Sequence, residues 1–495
     1  MKDLCNPFQE ESNDLLTLDT KLIAHASAAV LVATHFEKGQ VAFRDFFNGM
    51  DDETSFFYKS IKKNKVDFFH QEAATSSSDI KKQVLKDDCR LFSQLFISCQ
   101  SRESDLSEFF HHENQSFPAA LSDSGKLHTG QKSQLANILE AIIVPPDTQP
   151  DCECIDGSSL VYSLSPKASK TIEEYAIQDV VPKIQTYSSK YERTDIVVDV
   201  YWTSSLKAET RSRRGKGDRR RVTDKTKLPP NWKHFLRDND NKTELFEFLA
   251  DKIVSLCAEN VVIVTKGKEA LSNKPISLES LSPCNHEEAD TRIFTHALDA
   301  AKQKAKSVLV KASDTDILVV AVSNFATLQD VGLEMLWIEF GHGHSIRWLP
   351  VHDTVLNLGP EKSNGMLFFH AFTGCDVVSS FHGKSKKTAW QAWDFCPEVT
   401  HVFNKLSKYP AVIEDVDLNI LEKFVIIMYD KNSTANKVDE ARLDLFARKQ
   451  RPYDAIPSTS ASLFEHVKRS VFQAAYIWGQ ATVCEMQIES PANWG

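Results

Sequence analysis

The chain predicts an α/β fold built on a mainly parallel sheet, and three features of the sequence carry that prediction. Between about 152 and 395, short apolar runs alternate with longer amphipathic ones. The short runs are rich in Val and Ile and almost unbroken, as strands covered on both faces are. Acidic residues recur where those runs stop, at the edge where α/β sheets gather their ligands.

Taken in order, "CECIDGSSLVY" (152–162) reads as a short strand and turn, and "SKTIEEYAIQDVVPKIQTYSSKY" (169–191) as a helix interrupted at Pro182. "TDIVVDVYW" (194–202) is a strand. "NKTELFEFLADKIVSLC" (241–257) spaces Leu245, Phe248, Leu249, Ile253 and Leu256 by threes and fours, the signature of one buried helix face. "NVVIVTKG" (260–267) is a strand and "HEEADTRIFTHALDAAKQKA" (286–305) a helix. "SVLVKASDTDILVVAVS" (307–323) reads as one or two strands, because the apolar run resumes after two aspartates without a turn signal. "LEMLWIEF" and "SIRWLPV" would form a hairpin about the turn "GHGH" (341–344).

Around this unit the reading places a mostly helical accessory region at 1–145 and a helical region at 396–495, with the α/β domain at 146–395. "IIVPPDTQPD" is the first junction, since its prolines break both regular structures. No stretch reaches the ~18 consecutive apolar residues of a membrane helix. The polar, acidic N-terminus does not resemble a secretory signal, which predicts an intracellular protein with reduced cysteines. Cys152 and Cys154 lack a second ligand pair at zinc spacing.

The net charge of −10 argues against polyanion binding until its distribution is considered. Residues 206–227 hold ten Lys/Arg against three acids, a local balance of +7 inside an acidic chain. Such a segment is an electrostatic footprint for nucleic acid, or a solvated loop, or a nuclear import signal. As an import signal it favours the nucleus over the cytoplasm.

The acids are the chemical feature. Asp156, Asp199, Asp314 and Asp316 follow apolar runs, Glu288 and Asp290 open a helix, and Asp376 follows the hairpin. Parallel strands deliver their carboxyl ends to one edge, so these distant positions can converge. Seven carboxylates together repel one another unless cations compensate, and an oxygen-only cluster suits Mg²⁺ or Mn²⁺. Several of the acids also have plain structural explanations: Asn285 and Glu288 approximate a capping box, Asp290 would favour a helix N-terminus, Asp156-Gly157 is a turn pair, and Asp376 could cap a helix. The two aspartates of "DTD" are the hardest to explain that way, since neither cap nor turn is needed between two apolar runs.

Read in order, these residues resemble the flap endonuclease branch of the PIN-like nucleases. "CIDGSSLVY" resembles its first motif. "IVVDVYWTSSLKAETRSRR" resembles the second, with Asp199, Lys207 and Arg214 in place if one residue is inserted. "EEAD" matches the third with Asp290 in place of a Glu, and "DTD" the fourth. "GCDVVSSFHGKSKKTAW" matches the fifth, a phosphate-gripping hairpin whose second glycine is here Ser385. The resemblance implies a PIN-like domain. Asp156, Asp199, Glu288, Asp290, Asp314, Asp316 and Asp376 would bind Mg²⁺ or Mn²⁺, with Lys207 and Arg214 on the scissile phosphate. Arg211, Arg213, Arg219, Arg220, Arg221, Gly383, Lys384, Lys386 and Lys387 would contact DNA or RNA. A catalytically inactive PIN-like scaffold binding RNA or protein is the alternative. A phosphatase of the Asp-x-Asp type fits less well, because Leu318 stands where a hydroxyl residue is needed.

Overall fold

A computed structural model describes residues 23, 26–49, 107–113, 115–123, 125–139, 145–202, 205, 207, 217–341, 346–447, 451 and 453–494. At its centre lies a seven-stranded sheet formed by β1 (Cys152–Asp156), β2 (Arg193–Val197), β3 (Val261–Lys266), β4 (Glu269–Ser272), β5 (Ser307–Ala312), β6 (Met335–Phe340) and β7 (Arg347–Pro350). The strand order is β4-β3-β2-β1-β5-β6-β7. The five inner strands are parallel, and β4 and β7 each add an antiparallel edge. The expected fold class is therefore the observed one, including the hairpin β6–β7; most of its turn, 342–345, lies outside the described residues.

Burial along the strands follows the two-residue period of a sheet covered on both sides. In β1, Cys152 and Cys154 face one core while Ile155 faces the other. In β2, Val197 joins the first core, and Ile196 with Val198 the second. The second core is filled by residues 172–188 and by the helix Asn239–Leu256. That helix buries Leu245, Phe246, Leu249, Ala250 and Ile253, while Leu256 is exposed, so its buried face is rotated from the one the spacing predicts.

The first core crosses both junctions expected from the sequence. Phe110, Leu121, Leu135 and Leu139 from the N-terminal side and Val402, Phe403, Phe424, Val467 and Trp478 from the C-terminal side belong to the same apolar cluster as the helices behind the sheet. The helix α1 (Ser133–Leu139) is anchored there by Leu135, Ala136 and Leu139. No described helix is long and apolar enough to cross a membrane.

The segment expected as strand beyond Ala312 is instead a helix. β5 ends at Ala312, and after two residues a helix runs from Thr315 to Asp330. Its N-cap is Asp314, whose side chain accepts from the Asp316 backbone N–H at 3.0 Å. A cap thus does exist between the two apolar runs. The helix lacked a 3.6-residue signature because Ile317, Leu318, Val319, Val320, Ala321 and Val322 are all buried, leaving no polar face to reveal the period.

Candidate metal and phosphate site

The parallel strands run in the order β3-β2-β1-β5-β6, so the chain reverses direction across the sheet between β1 and β5. At such a switch point the loops at the carboxyl ends diverge and leave a crevice. Asp156 ends β1, Asp199 stands two residues past β2, and Asp314 two residues past β5. Asp156 caps the short helix α2 (Gly157–Ser163), accepting from Ser159 N at 3.0 Å. Gly157 is required there, because a Cβ would lie 2.6 Å from Val198 Cγ1. Asp199 accepts from Ser158 Oγ at 3.0 Å and, through its other oxygen, from the Ala289 N–H at 2.9 Å. That second bond ties β2 to the start of α3 (Ala289–Lys302), the helix that Glu288 caps and that carries Asp290 in its first turn.

Asp316 is buried in the first turn of α4 (Thr315–Asp330) at 1% exposure. His370, near the end of α5 (Val351–Phe372), donates to its carboxylate across 2.9 Å. α5 stops at Phe372, and Gly374 turns the chain at φ +107° to present Asp376. A side chain at 374 would collide with Ser380 at 2.6 Å, so this glycine is structurally required.

All seven acids form one connected cluster. Asp290, Asp314 and Asp316 offer oxygens lying within 4.8 Å of one another. Lys207 reaches Glu288 at 2.5 Å and Asp290 at 3.7 Å. Lys132, from the segment where the sequence showed no chemistry, reaches Asp314, Asp316 and Asp376, each at 3.0 Å. Asp199 joins Asp156 through the Ser158–Ser159 turn and Glu288–Asp290 through Ala289.

The electrostatics show an excess of negative charge. Burial, with Asp199 adjacent, pushes the Asp156 carboxyl up to about 7. Burial likewise raises Glu288 to about 7 against the pull of Lys207. It holds Asp290 well above the usual range, and Asp314 is raised by burial and by Asp316. Asp316 goes the other way: burial would raise it, but Lys132 and His370 hold it far below the usual range. Two half-buried lysines therefore do not neutralise the cluster. A hard cation on oxygen ligands would complete the neutralisation, so the donor set fits Mg²⁺ or Mn²⁺.

Asp156, Asp199, Asp290, Asp314, Asp376 and Lys207 line one open cleft of about 760 Å³. The same cleft is lined by the turn and helix at 232–256, which contribute Lys233, Arg237 and Lys242. Lys242 lies 3.9 Å from the centre of the Tyr201 ring, and Lys233 5.5 Å from that of Tyr162. These rim cations lie outside the sequence's dense basic run, which is why charge patterning missed them. Lys132 and His370 carried no sequence signal either: they stand 182 and 54 residues from the acids they contact.

The other expected contacts vary in placement. Arg211, Arg213 and Arg214 lie outside the described residues. Arg219 and Arg221 both engage Glu244, Arg221 at 2.6 Å, and Arg219 also donates to Asn241 at 2.9 Å. The Arg220 backbone N–H donates to Asn241 at 2.8 Å. These bonds fasten the segment to the helix at 239–256. Gly383 is exposed at φ +67°, as a hairpin glycine would be. Ser385, at φ −93°, caps the helix α6 (Lys386–Phe395) and accepts from Thr388 N at 3.1 Å, so its replacement of glycine strains nothing. Lys387 is exposed and Lys384 lies 4.2 Å over the Tyr429 ring. Lys386 points inward, donating to the His370 carbonyl at 2.6 Å and Thr373 Oγ1 at 2.8 Å, and burial lowers it to about 7. Its ammonium braces the α5 terminus and does not face solvent. Trp232 is buried against Tyr175, whereas Trp202 lines a mainly apolar cavity of about 300 Å³ that Lys207 and Glu288 also line.

No family model matches the chain, and no curated protein matches it. Among solved structures, the chain matches the bacteriophage T5 D15 flap endonuclease, in a complex with DNA and metal ions, at TM-score 0.30 and 10% identity, over 64% of this chain and 99% of that one. It matches the catalytic core of Rad2 bound to a DNA substrate at TM-score 0.31 and 12% identity, over 67% and 98%. A second Rad2 complex gives 0.31 and 11%, over 68% and 99%.

Proposed function

We propose that the chain is a divalent-metal-dependent nuclease that hydrolyses phosphodiester bonds in a nucleic acid threaded through the acidic cleft. The observation that supports it is the convergence of seven carboxylates, from five separate stretches of chain, onto the switch-point crevice of one sheet. Asp156, Asp290 and Asp314 would be the principal ligands, with Asp199 and Glu288 beside them. Mg²⁺ or Mn²⁺ held there supplies Lewis acidity toward a phosphate oxygen and an activated water.

The chain's own groups account for the remaining requirements. Lys207 lines the cleft while paired with Glu288 and Asp290, so its fixed charge stands where a scissile phosphate would carry developing negative charge. Lys233, Arg237 and Lys242 give the cleft positive charge for the sugar–phosphate backbone, and the exposed Tyr162 ring offers a surface for a base. Ser158 and the Ala289 N–H orient Asp199, and His370 orients Asp316.

The scaffold reading has one observation in its favour: Lys132 already satisfies three of the seven acids. The test separates the two. The purified chain with Mn²⁺ or Mg²⁺ and end-labelled flap, hairpin and single-stranded DNA and RNA is expected to cut at least one substrate. Asp314→Asn combined with Asp316→Asn, checked for folding by circular dichroism, is expected to abolish cutting. Binding of these substrates with no metal-dependent cleavage would refute the nuclease and leave the scaffold.

A further inference from the structure

Lys132 is placed with more care than a surface lysine requires. Its ammonium has three N–H donors and faces three carboxylates, Asp314 Oδ1, Asp316 Oδ2 and Asp376 Oδ1, all at 3.0 Å. A second Asp314 oxygen lies at 3.3 Å. The side chain is only 17% exposed. The backbone that carries it is fixed at both ends. On one side α1 sinks Leu135, Ala136 and Leu139 into the main core. On the other, His128 is clamped to the loop that bears Asp376: its N–H donates to Ser379 Oγ at 3.0 Å, and its carbonyl accepts from Ser380 N at 2.9 Å and Ser380 Oγ at 3.0 Å. Gly130 lets the two strands of chain meet, since a Cβ there would lie 3.2 Å from Ser380 Cβ. Lys132 and Asp376 are thus held together by a built-in clip.

Paired metal ions in phosphodiester-cleaving sites sit ~4 Å apart and share carboxylates. Here three carboxylates already share one cation. Both oxygens of Asp316 are engaged, one by Lys132 and the other by His370. Among the described residues Lys132 pairs with none of Asp156, Asp199, Glu288 and Asp290, although an Asp290 oxygen lies within 4.8 Å of those of Asp314 and Asp316.

Resting on the metal-dependent reading above, we propose that Lys132 is a resident cation that occupies one of two adjacent cation positions, so that the cleft takes a single divalent ion on the Asp156–Asp290 side. Asp314 then belongs to both halves, while Asp376 serves Lys132 alone. The fixed ammonium supplies positive charge without exchange, at the cost of one unit of charge relative to a metal.

The test counts ions on the full chain with Mn²⁺ itself as the probe, by paramagnetic resonance of free Mn²⁺ and by titration calorimetry. The wild-type chain is expected to bind one Mn²⁺, and Lys132→Met two. Asp376→Asn is expected to leave the wild-type site intact, whereas Asp156→Asn weakens it by about 10-fold or more. Two Mn²⁺ in the wild type, or one in both wild type and Lys132→Met, would overturn the proposal. So would an Asp376→Asn variant that loses Mn²⁺ affinity as Asp156→Asn does, a result that holds even if Lys132→Met does not fold. A chain that binds one Mn²⁺ but cuts no nucleic acid keeps this inference and loses the nuclease. A chain that cuts with two ions bound does the reverse.

Discussion

Binding of a divalent ion at pH 7 should expel protons, and the structure sets how many. Asp156 and Glu288 are each pushed up to about 7 by burial among like charges. At pH 7 each is therefore about half protonated in the ion-free chain, so together they hold about one proton. A divalent cation stabilises the ionised form and releases that proton, and Asp290, also raised by burial, adds to the count. The release should fade above about pH 8, where these groups are already ionised, and grow toward pH 6 as ion affinity falls. Overall stability is a poorer probe. A carboxyl with a raised folded pKa favours the fold as pH drops. Buried His286, His296, His370 and His466, all lowered by desolvation, resist protonation and oppose the fold below about 6.5. The proton count separates the two effects, because only the acids face the ion. It is measured by titrating Mn²⁺ into the chain at pH 7 in buffers of differing ionisation enthalpy. Heats that do not depend on the buffer would refute the argument that burial without a cation raises these acids.

Two further outcomes follow from the geometry. Replacing Lys233, Arg237 and Lys242 together by Ala should weaken nucleic-acid binding and flatten its salt dependence by up to ~0.9 in log–log slope per lost phosphate contact, with Mn²⁺ binding unchanged; fluorescence anisotropy across a salt series measures it, and an unaltered slope would place the strand elsewhere. Arg193→Ala removes the partner of two buried carboxylates, Asp195 at 2.7 Å and Asp299 at 2.6 Å, and should cost about 3–5 kcal/mol in urea unfolding. A midpoint unchanged from wild type would show that His296 alone suffices for Asp195.

The amino-acid sequence alone determined the layered α/β class. Strands buried on both faces must be apolar throughout, and the helices between them must carry stripes, so composition and period betray them. It also picked out the seven acids that the fold gathers into one cluster, because an acid at a strand's carboxyl end is legible wherever the strand is. Three things were decided only by tertiary structure. Asp314 caps a helix, but that helix is buried all round and shows no period. The N- and C-terminal regions share the main core with the sheet, since side chains from 110 to 139 and from 402 to 478 pack in one apolar cluster that no local pattern announces. Above all, Lys132 sits among acids 182 and 184 residues away. Local periodicity reports which face of an element is buried, but the choice of neighbour across the fold depends on how whole layers pack, and no short window of sequence contains that.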